Sequence, residues 1–261
     1  MSENYTRILK IRVDGTNTAR VLISVRAWLD AAERQRHKFL IVTPNPEIIL
    51  AAQKDQKLSK ILNDADICLP DGAGLVWAAK VLGYSQPKTT VRGRELFLEL
   101  VKLANKKRWK IFLLGDDGAS EAQEVLERTF KKVEIESAAG PRLNKNGEPV
   151  AQVDINSQKD TVERINKFKP NILFVAFGAP KQEKWLAENW KTLDIGGAMV
   201  VGGALDYVNG RAKLPPPWLA EAGLEWLWRL VHQPWRAPRV FAATVTFPLK
   251  VIISSMVARA R

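Results

Sequence analysis

Short, continuous apolar runs alternate along this chain with longer amphipathic segments, and this alternation constrains the fold more than any other feature. The runs FLIV at 39–42 and ILFVAF at 172–177 contain no regularly spaced polar residues. Such runs are typical of strands that are buried on both faces of a sheet. The repeated order of strand and then helix predicts an α/β fold, with a Rossmann-like parallel sheet and right-handed crossovers.

The predicted elements follow this alternation. Strands are expected at 8–13, 39–43, 67–69, 110–114, 133–137, 172–177 and 198–201. Apolar residues at helical spacing predict helices at 18–33, 46–62, 72–82, 94–106, 120–131, 161–168 and 181–190. The polar stretch 141–153 is expected to be a loop, either a mobile cover over a site or a plain connector.

The last fifth of the chain differs from the rest in charge and aromatic content. The whole sequence has a net charge of +12 and nine tryptophans. Residues 210–261 hold eight basic residues, two acidic residues and four of the tryptophans. Such a segment fits contact with nucleic acid, an anionic membrane or a phosphorylated substrate, or else a solvated basic surface over an apolar core.

The run Leu-Pro-Pro-Pro at 214–217 is a stiff junction that predicts two parts. These are a Rossmann-like domain at 1–213 and a basic, Trp-rich helical appendage at 214–261. Helices are expected at 218–232 and 240–257. Because Pro248 and Lys250 interrupt the second helix, we expect it to lie on a membrane or a partner rather than to span a bilayer.

Few residues are available for the commonest metal and nucleophile chemistries. Cys68 is the only cysteine, and His37 and His232 are the only histidines. The sequence therefore excludes an intrachain disulfide and a zinc site of Cys/His spacing, and it argues against a Ser-His-Asp triad.

Five polar loops follow predicted strands, where ligands bind in open parallel sheets. Helix N-termini at such loops offer free amides and a positive dipole end to phosphates. Neither of the common glycine-rich nucleotide motifs is present, so a nucleotide would have to be held differently. The loops are 43–47, 69–74, 115–120, 178–183 and 202–206.

The acidic residues of these loops each have two interpretations. Asp71 is either a general base or the N-cap of the next helix, and spacing alone favours the cap. Asp116 and Asp117 either bind a metal or, more plainly, cap a helix or contact a ribose, because adjacent carboxylates repel a diphosphate unless a metal lies between them.

The neutral and basic candidates are equally open. Thr43 and Asn45 divide between helix capping and ligand contact. Gln182, in a first helical turn, either hydrogen-bonds a sugar or lies on the solvated surface. Three appendage arginines either face one ligand or form a solvated basic face. These arginines are Arg229, Arg236 and Arg239.

Taken in order, five motifs resemble the WecG/TagA/CpsF glycosyltransferases over nearly the whole chain. They are TPNPE (43–47), LPDGAG (69–74), GAPKQEKWL (178–186), VGGALDYVNG (201–210) and GLEWLWRLVHQPWRAPR (223–239). The resemblance implies a bacterial enzyme that transfers a sugar, with inversion, from a UDP-sugar to a sugar linked by diphosphate to a polyprenol. It implies no metal and no other cofactor.

The resemblance also implies residue roles, with Asp71 as the general base. The sequence departs from the family pattern where Thr90 replaces a usual arginine; either Arg92 supplies that charge, or donor and acceptor preference differ. The implied substrate-binding residues are Thr43, Asn45, Arg92, Gln182, Gly202, Gly203, Asp206, Arg229, Arg236 and Arg239.

The leading hypothesis is therefore a hexosyl- or N-acetylhexosaminyltransferase of exopolysaccharide, capsule or wall-polymer synthesis. It would use UDP-N-acetylmannosamine, UDP-glucose or a related donor, and sit peripherally on the cytoplasmic face of the inner membrane. The tail would contact the inner leaflet or a second copy of the chain. A non-catalytic α/β module that binds nucleic acid is the alternative. A nucleotide-dependent oxidoreductase is a third hypothesis, and the sequence argues against it because no glycine-rich motif follows the first predicted strand.

Overall fold

A computed structural model describes residues 5–31, 37–216, 218–219, 225–232 and 234–259. Its main sheet has six parallel strands in the order β4-β3-β8-β7-β5-β6. This confirms the predicted parallel α/β fold. The strands are β3 (Phe39–Val42), β4 (Ile67–Cys68), β5 (Lys110–Gly115), β6 (Glu134–Ala139), β7 (Ile172–Val175) and β8 (Gly197–Val200).

Helices cover both faces of this sheet, and each face has its own apolar layer. Phe112 and Leu173 point into the layer that contains α2, α3, α4 and α8. Ile111 and Ile172, one residue earlier on each strand, point into the layer with α1, α5, α6 and α9. The helices are α1 (Thr18–Asp30), α2 (Pro46–Ala52), α3 (Gln56–Asp64), α4 (Ala73–Val81), α5 (Gly93–Lys107), α6 (Gly118–Thr129), α7 (Gln152–Phe168), α8 (Lys181–Asn189), α9 (Ala204–Val208) and α10 (Glu225–His232).

The first predicted strand, 8–13, is wrong. The segment is an antiparallel hairpin of β1 (Tyr5–Ile8) and β2 (Ile11–Asp14) outside the main sheet. Leu9 and Lys10 form its two-residue turn with φ of 47° and 69°, a conformation usually supplied by Asn or Gly. The hairpin adjoins the β4 edge, where the Asp14 carboxylate accepts a hydrogen bond from the Cys68 amide at 2.8 Å.

Two predicted helices have different bounds because an aspartate carboxylate starts a helix at a position that the sequence did not indicate. The predicted helix 46–62 is two helices, since Asp55 accepts from the Leu58 amide at 3.0 Å and begins α3. Helix α7 begins at Gln152 rather than 161, where Asp154 accepts from the Ala151 amide at 3.1 Å. The loop before α7 packs on α8, with Lys184 donating to the Lys145 carbonyl at 3.2 Å. These contacts favour a connector over a mobile cover.

Helical structure continues through the prolines of the appendage. A 3₁₀ turn (Pro234–Arg236) leads into α11 (Ala237–Phe241), a π-helical turn (Ala242–Thr246) and α12 (Phe247–Arg259). Pro238 lies in the first turn of α11, where the missing N–H group matters little, and Pro248 follows the π-helical turn, where the regular α-helical hydrogen bonding is already interrupted. We call Pro234–Val257 the C-terminal helix. By length and composition alone, it could cross a membrane.

The C-terminal helix is attached to the core along one face. Phe247 and Val251 are fully buried, and the Ser255 hydroxyl donates to the Val81 carbonyl of α4 at 3.2 Å. The expected helix at 218–232 is present as α10, whereas residues 220–224 lie outside the described part of the chain.

Candidate functional site

The loops that follow β3, β4, β7 and β8 meet at the carboxyl edge of the sheet. The Asp71 amide donates to the Pro44 carbonyl at 3.3 Å, which joins the β3 and β4 loops. The Thr43 hydroxyl lies 3.5 Å from the Val200 carbonyl, at the end of β8. Parallel strands thus bring the sequence-predicted loops to one edge, where the Asn209 side chain also donates to the Gly118 carbonyl of the fifth loop (115–120) at 3.1 Å.

Asp71 follows β4 and lies partly exposed at this edge. The N-cap of α4 is Gly72, with φ of 110°, so Asp71 is not the cap residue that spacing favoured. A Cβ placed on Gly93 would lie 3.6 Å from the Asp71 Oδ2 atom and 3.1 Å from Thr43 Cγ2. The absence of a side chain at Gly93 therefore lets the N-terminus of α5 approach the carboxylate.

Asn45 has the capping role that the sequence left open. Its side-chain oxygen accepts from the Ile48 amide at 3.0 Å, and Pro46 occupies the first turn of α2. Thr43 is buried beside it. Both residues lie at the site, and the carboxamide oxygen of Asn45 is engaged by the protein's own backbone.

Gln182 is buried, which excludes the solvated position, one of its two interpretations. It is 2% exposed, and its Oε1 atom accepts from the Gly178 and Gly202 amides, each at 3.1 Å. Its Nε2 atom donates to Glu183 Oε1 at 3.2 Å. This oxygen serves the backbone of the β7 and β8 loops, rather than a sugar.

Glu183 is a residue that sequence reasoning missed. It has no exposed surface, and burial raises its pKa from 4.5 to about 7 against the opposing influence of Gln182 and Lys184. The order Lys-Gln-Glu-Lys is typical of a solvent-exposed first helical turn, so the residue types alone did not indicate that Glu183 is buried.

Two arginines lie where α5 begins. Arg92 is the N-cap residue of α5 and donates to Glu95 Oε1 at 2.9 Å. The Arg94 guanidinium lies 5.4 Å from the Tyr207 ring centroid and joins α5 to α9. Two guanidinium groups therefore accompany the α5 N-terminus next to Asp71, and both lie within 4 Å of the Glu95 carboxylate.

The β8 loop places a second carboxylate at the edge. A Cβ on Gly203 would lie 3.4 Å from Asp206 Oδ2. Burial and then the Asp116 charge raise the pKa of Asp206, whereas Arg211 and Arg236 oppose that shift. The appendage thus brings Arg236 into the electrostatic neighbourhood of Asp206.

Of the other two appendage arginines, only Arg239 has a side chain that the structure describes. Arg239 is exposed, and the Arg229 side chain lies outside what the structure describes. A cleft of about 360 Å³ separates the appendage from the core, and the Trp228 indole donates across the junction to the Lys213 carbonyl at 3.1 Å. The cleft is lined by Tyr207, Arg211, Ala212, Lys213, Trp228, His232 and Trp235.

The acidic pair after β5 has a local partner. Asp116 Oδ1 accepts from the Gly118 amide at 2.9 Å, at the start of α6, in keeping with the plainer of its two interpretations. Over the described ranges, no group of three His, Cys, Asp or Glu side chains has the arrangement of a metal site.

Comparison with known proteins identifies relatives along the whole chain. The model of the Glycosyl transferase WecG/TagA/CpsF family matches residues 6–261. An N-acetylglucosaminyldiphosphoundecaprenol N-acetyl-beta-D-mannosaminyltransferase of Bacillus subtilis strain 168 is 29% identical over 223 residues, which cover 84% of this chain and 83% of the relative. A protein of the same name from Staphylococcus aureus strain NCTC 8325 is 29% identical over 225 residues, covering 85% and 82%.

Proposed function

The chain belongs to the WecG/TagA/CpsF glycosyltransferase family, and we propose that it transfers a sugar from a UDP-sugar to a polyprenyl-diphosphate-linked monosaccharide. The observation that carries this proposal is the partly exposed Asp71 carboxylate beside the arginine-flanked N-terminus of α5. The names of the relatives favour N-acetylmannosamine as the sugar transferred and N-acetylglucosaminyl-diphospho-undecaprenol as the acceptor.

Asp71 is the general base of the proposed reaction. It takes the proton of the acceptor hydroxyl while that oxygen forms a bond to the anomeric carbon of the donor. The bond from the anomeric carbon to the diphosphate breaks on the opposite side, which inverts the centre and releases UDP. The transition state has oxocarbenium character, as in glycoside cleavage.

The departing UDP gains negative charge and needs positive potential in a fixed position. Arg92 and the N-terminus of α5 supply it on the Asp71 side, and Arg236 supplies it from the appendage. Gly202, Gly203 and Asp206 would receive the nucleoside, while Thr43 would border the transferred sugar. In this proposal, the two arginines and the α5 N-terminus stabilise the leaving diphosphate.

The C-terminal helix is the proposed contact with the inner membrane leaflet. Five of its exposed apolar residues follow one another at intervals of four, opposite the face that packs on α4. A helix that keeps these core contacts has one face left for lipid, so it lies on the cytoplasmic surface rather than crossing the bilayer. These five residues are Phe241, Val245, Leu249, Ile253 and Val257, and Trp235 and Met256 of the same helix are exposed as well.

A transfer assay with the purified full chain tests the function. The donors are UDP-N-acetylmannosamine and UDP-glucose, and the acceptor is a lipid-linked N-acetylglucosamine diphosphate, with EDTA present. We expect UDP release that requires both donor and acceptor. Release from the donor alone, or none with a folded chain that also fails to bind UDP, would contradict the proposal.

A further inference from the structure

The first turn of α8 contains a buried acid that the reaction does not use directly. Glu183 has no exposed surface, and its Oε2 atom has no hydrogen-bond partner within the part of the chain that the structure describes. Its Oε1 atom accepts from Gln182 Nε2 at 3.2 Å. An incompletely paired buried carboxyl group lowers the stability of the fold. We therefore expect its role to lie in the residue that it binds, Gln182.

Gln182 fixes two glycine loops with a single oxygen. Gly178 and Gly202 have φ of 75° and 52°, and a Cβ on either would meet no atom within 4 Å. Both glycines therefore border open space at the carboxyl edge, where side-chain packing does not hold the loops. The two hydrogen bonds to Gln182 Oε1 hold them instead.

These two hydrogen bonds require that the oxygen end of the Gln182 amide, rather than its nitrogen end, faces the glycines. The oxygen and nitrogen ends have nearly the same shape, but a reversed amide would point its NH₂ group at two backbone N–H donors. Glu183 removes this ambiguity because it accepts from the nitrogen end. Glu183 therefore acts on the loops through Gln182.

We propose that Glu183 is a positioning residue for sugar transfer, which orients Gln182 so that its oxygen fixes the Gly178 and Gly202 loops around the donor. This inference rests on the proposed function because that function supplies the donor, whereas the hydrogen bonds are present in the structure whatever the substrate is. It also commits the Gly202 amide to the protein, so Gly202 contributes shape rather than an N–H group to the donor site.

Replacement of Glu183 by glutamine and by methionine separates positioning from other roles. Burial favours the neutral acid, with a pKa of about 7, and the amide oxygen introduced by E183Q offers a similar acceptor. We expect E183Q to stay within about threefold of the wild type in kcat and donor KM, whereas E183M, which leaves a buried donor unpaired, raises donor KM by about tenfold. Acceptor KM should change little. Glu188 is an exposed residue on the same helix, and E188M is the matched control.

A double-mutant cycle keeps the test independent of folding differences. Q182M removes the hold while leaving Glu183 in place, and it should give the same donor defect. The double variant Q182M/E183M should be no worse than Q182M. Additive defects, wild-type donor kinetics in E183M, or an E183Q enzyme as defective as E183M would each overturn the proposal.

Amide hydrogen exchange gives a readout that needs no activity. E183M should accelerate exchange at Gly178 and Gly202, and E183Q should not. If no donor supports transfer but these exchange rates respond as stated, the proposed function fails and the positioning geometry stands. Unchanged exchange in E183M would refute the positioning role whatever the activity.

Discussion

Two of the acidic side chains at the carboxyl edge of the sheet, Asp71 and Glu183, lie in opposite environments. On the β3–β4 side, Asp71 is partly exposed next to the N-terminus of α5. On the β7–β8 side, Glu183 has no exposed surface and accepts from Gln182. Both acids follow a strand and lie near the start of a helix. Their difference shows that burial, rather than residue type, separates an acid that can meet a ligand from one that can only act on the protein.

The largest expected effect comes from neutralising the exposed acid. Asp71→Asn keeps the size of the side chain but removes the proton acceptor, so we expect kcat to fall about 10²–10⁴-fold. UDP affinity and the melting temperature should remain near the wild-type values. Asp160→Asn, at an exposed position on α7 away from this edge, is the control and should retain activity. An Asp71→Asn enzyme with full activity would show that this side of the edge does not supply the base.

The buried acid should affect stability in a pH-dependent way. Burial raises the pKa of Glu183 from 4.5 to about 7, so the folded protein holds this proton more tightly than the unfolded chain. Wild-type stability should therefore fall relative to E183Q as pH rises from 5 to 8, by about 2 to 3 kcal/mol. Urea unfolding of both proteins across this range measures the difference. A constant difference would mean that Glu183 does not titrate as a buried acid.

The C-terminal helix packs against the Asp71 side of the edge. A Cβ on Gly74 would lie 3.9 Å from Phe247 Cε1, so the proposed membrane-contacting helix and the proposed base are on the same side of the edge. Leu249→Glu places a charge on the exposed face of this helix. We expect it to weaken binding to phosphatidylglycerol vesicles by about tenfold, from loss of about 1.5 kcal/mol of apolar burial.

A matched charge elsewhere separates lipid contact from general surface effects. Ile23 is an exposed apolar residue on α1, and Ile23→Glu should leave vesicle binding unchanged. If Leu249→Glu instead dissociates a dimer and leaves vesicle binding intact, the apolar face binds a second copy of the chain rather than lipid.

The sequence predicted the sheet well because its strands are buried on both faces. The runs at 39–42 and 172–177 fit few other arrangements, and residues 39–42 and 172–175 are strands of the main sheet. The β1–β2 hairpin could not be predicted, because Leu9 and Lys10 are not residues that favour a positive φ. The break before α3 depends on Asp55 acting as a cap, which competes with an equally plausible exposed position on a longer helix.

The site was predictable at the level of loops and less so at the level of side chains. Strand ends identified where Asp71 and Gln182 would lie, because parallel strands share one carboxyl edge. They did not reveal that Gln182 is buried or that Glu183 lies beneath it, since depth depends on how α8 packs over distant strands. The role of Asn45 remained divided for the same reason.

The smallest expected effect tests whether Asn45 resembles Gln182 or Asp71. Its oxygen accepts from the Ile48 amide, so Asn45→Ala should lower the free energy of unfolding by about 1 kcal/mol, whereas Asn45→Ser keeps a capping oxygen and restores it. If capping is its role, Asn45→Ser should also keep kcat/KM near the wild-type value. A stable Asn45→Ser protein with low activity would instead show that the Asn45 nitrogen meets substrate. The β3–β4 side would then present two ligand-facing groups, and the contrast with the backbone-directed β7–β8 side would become sharper.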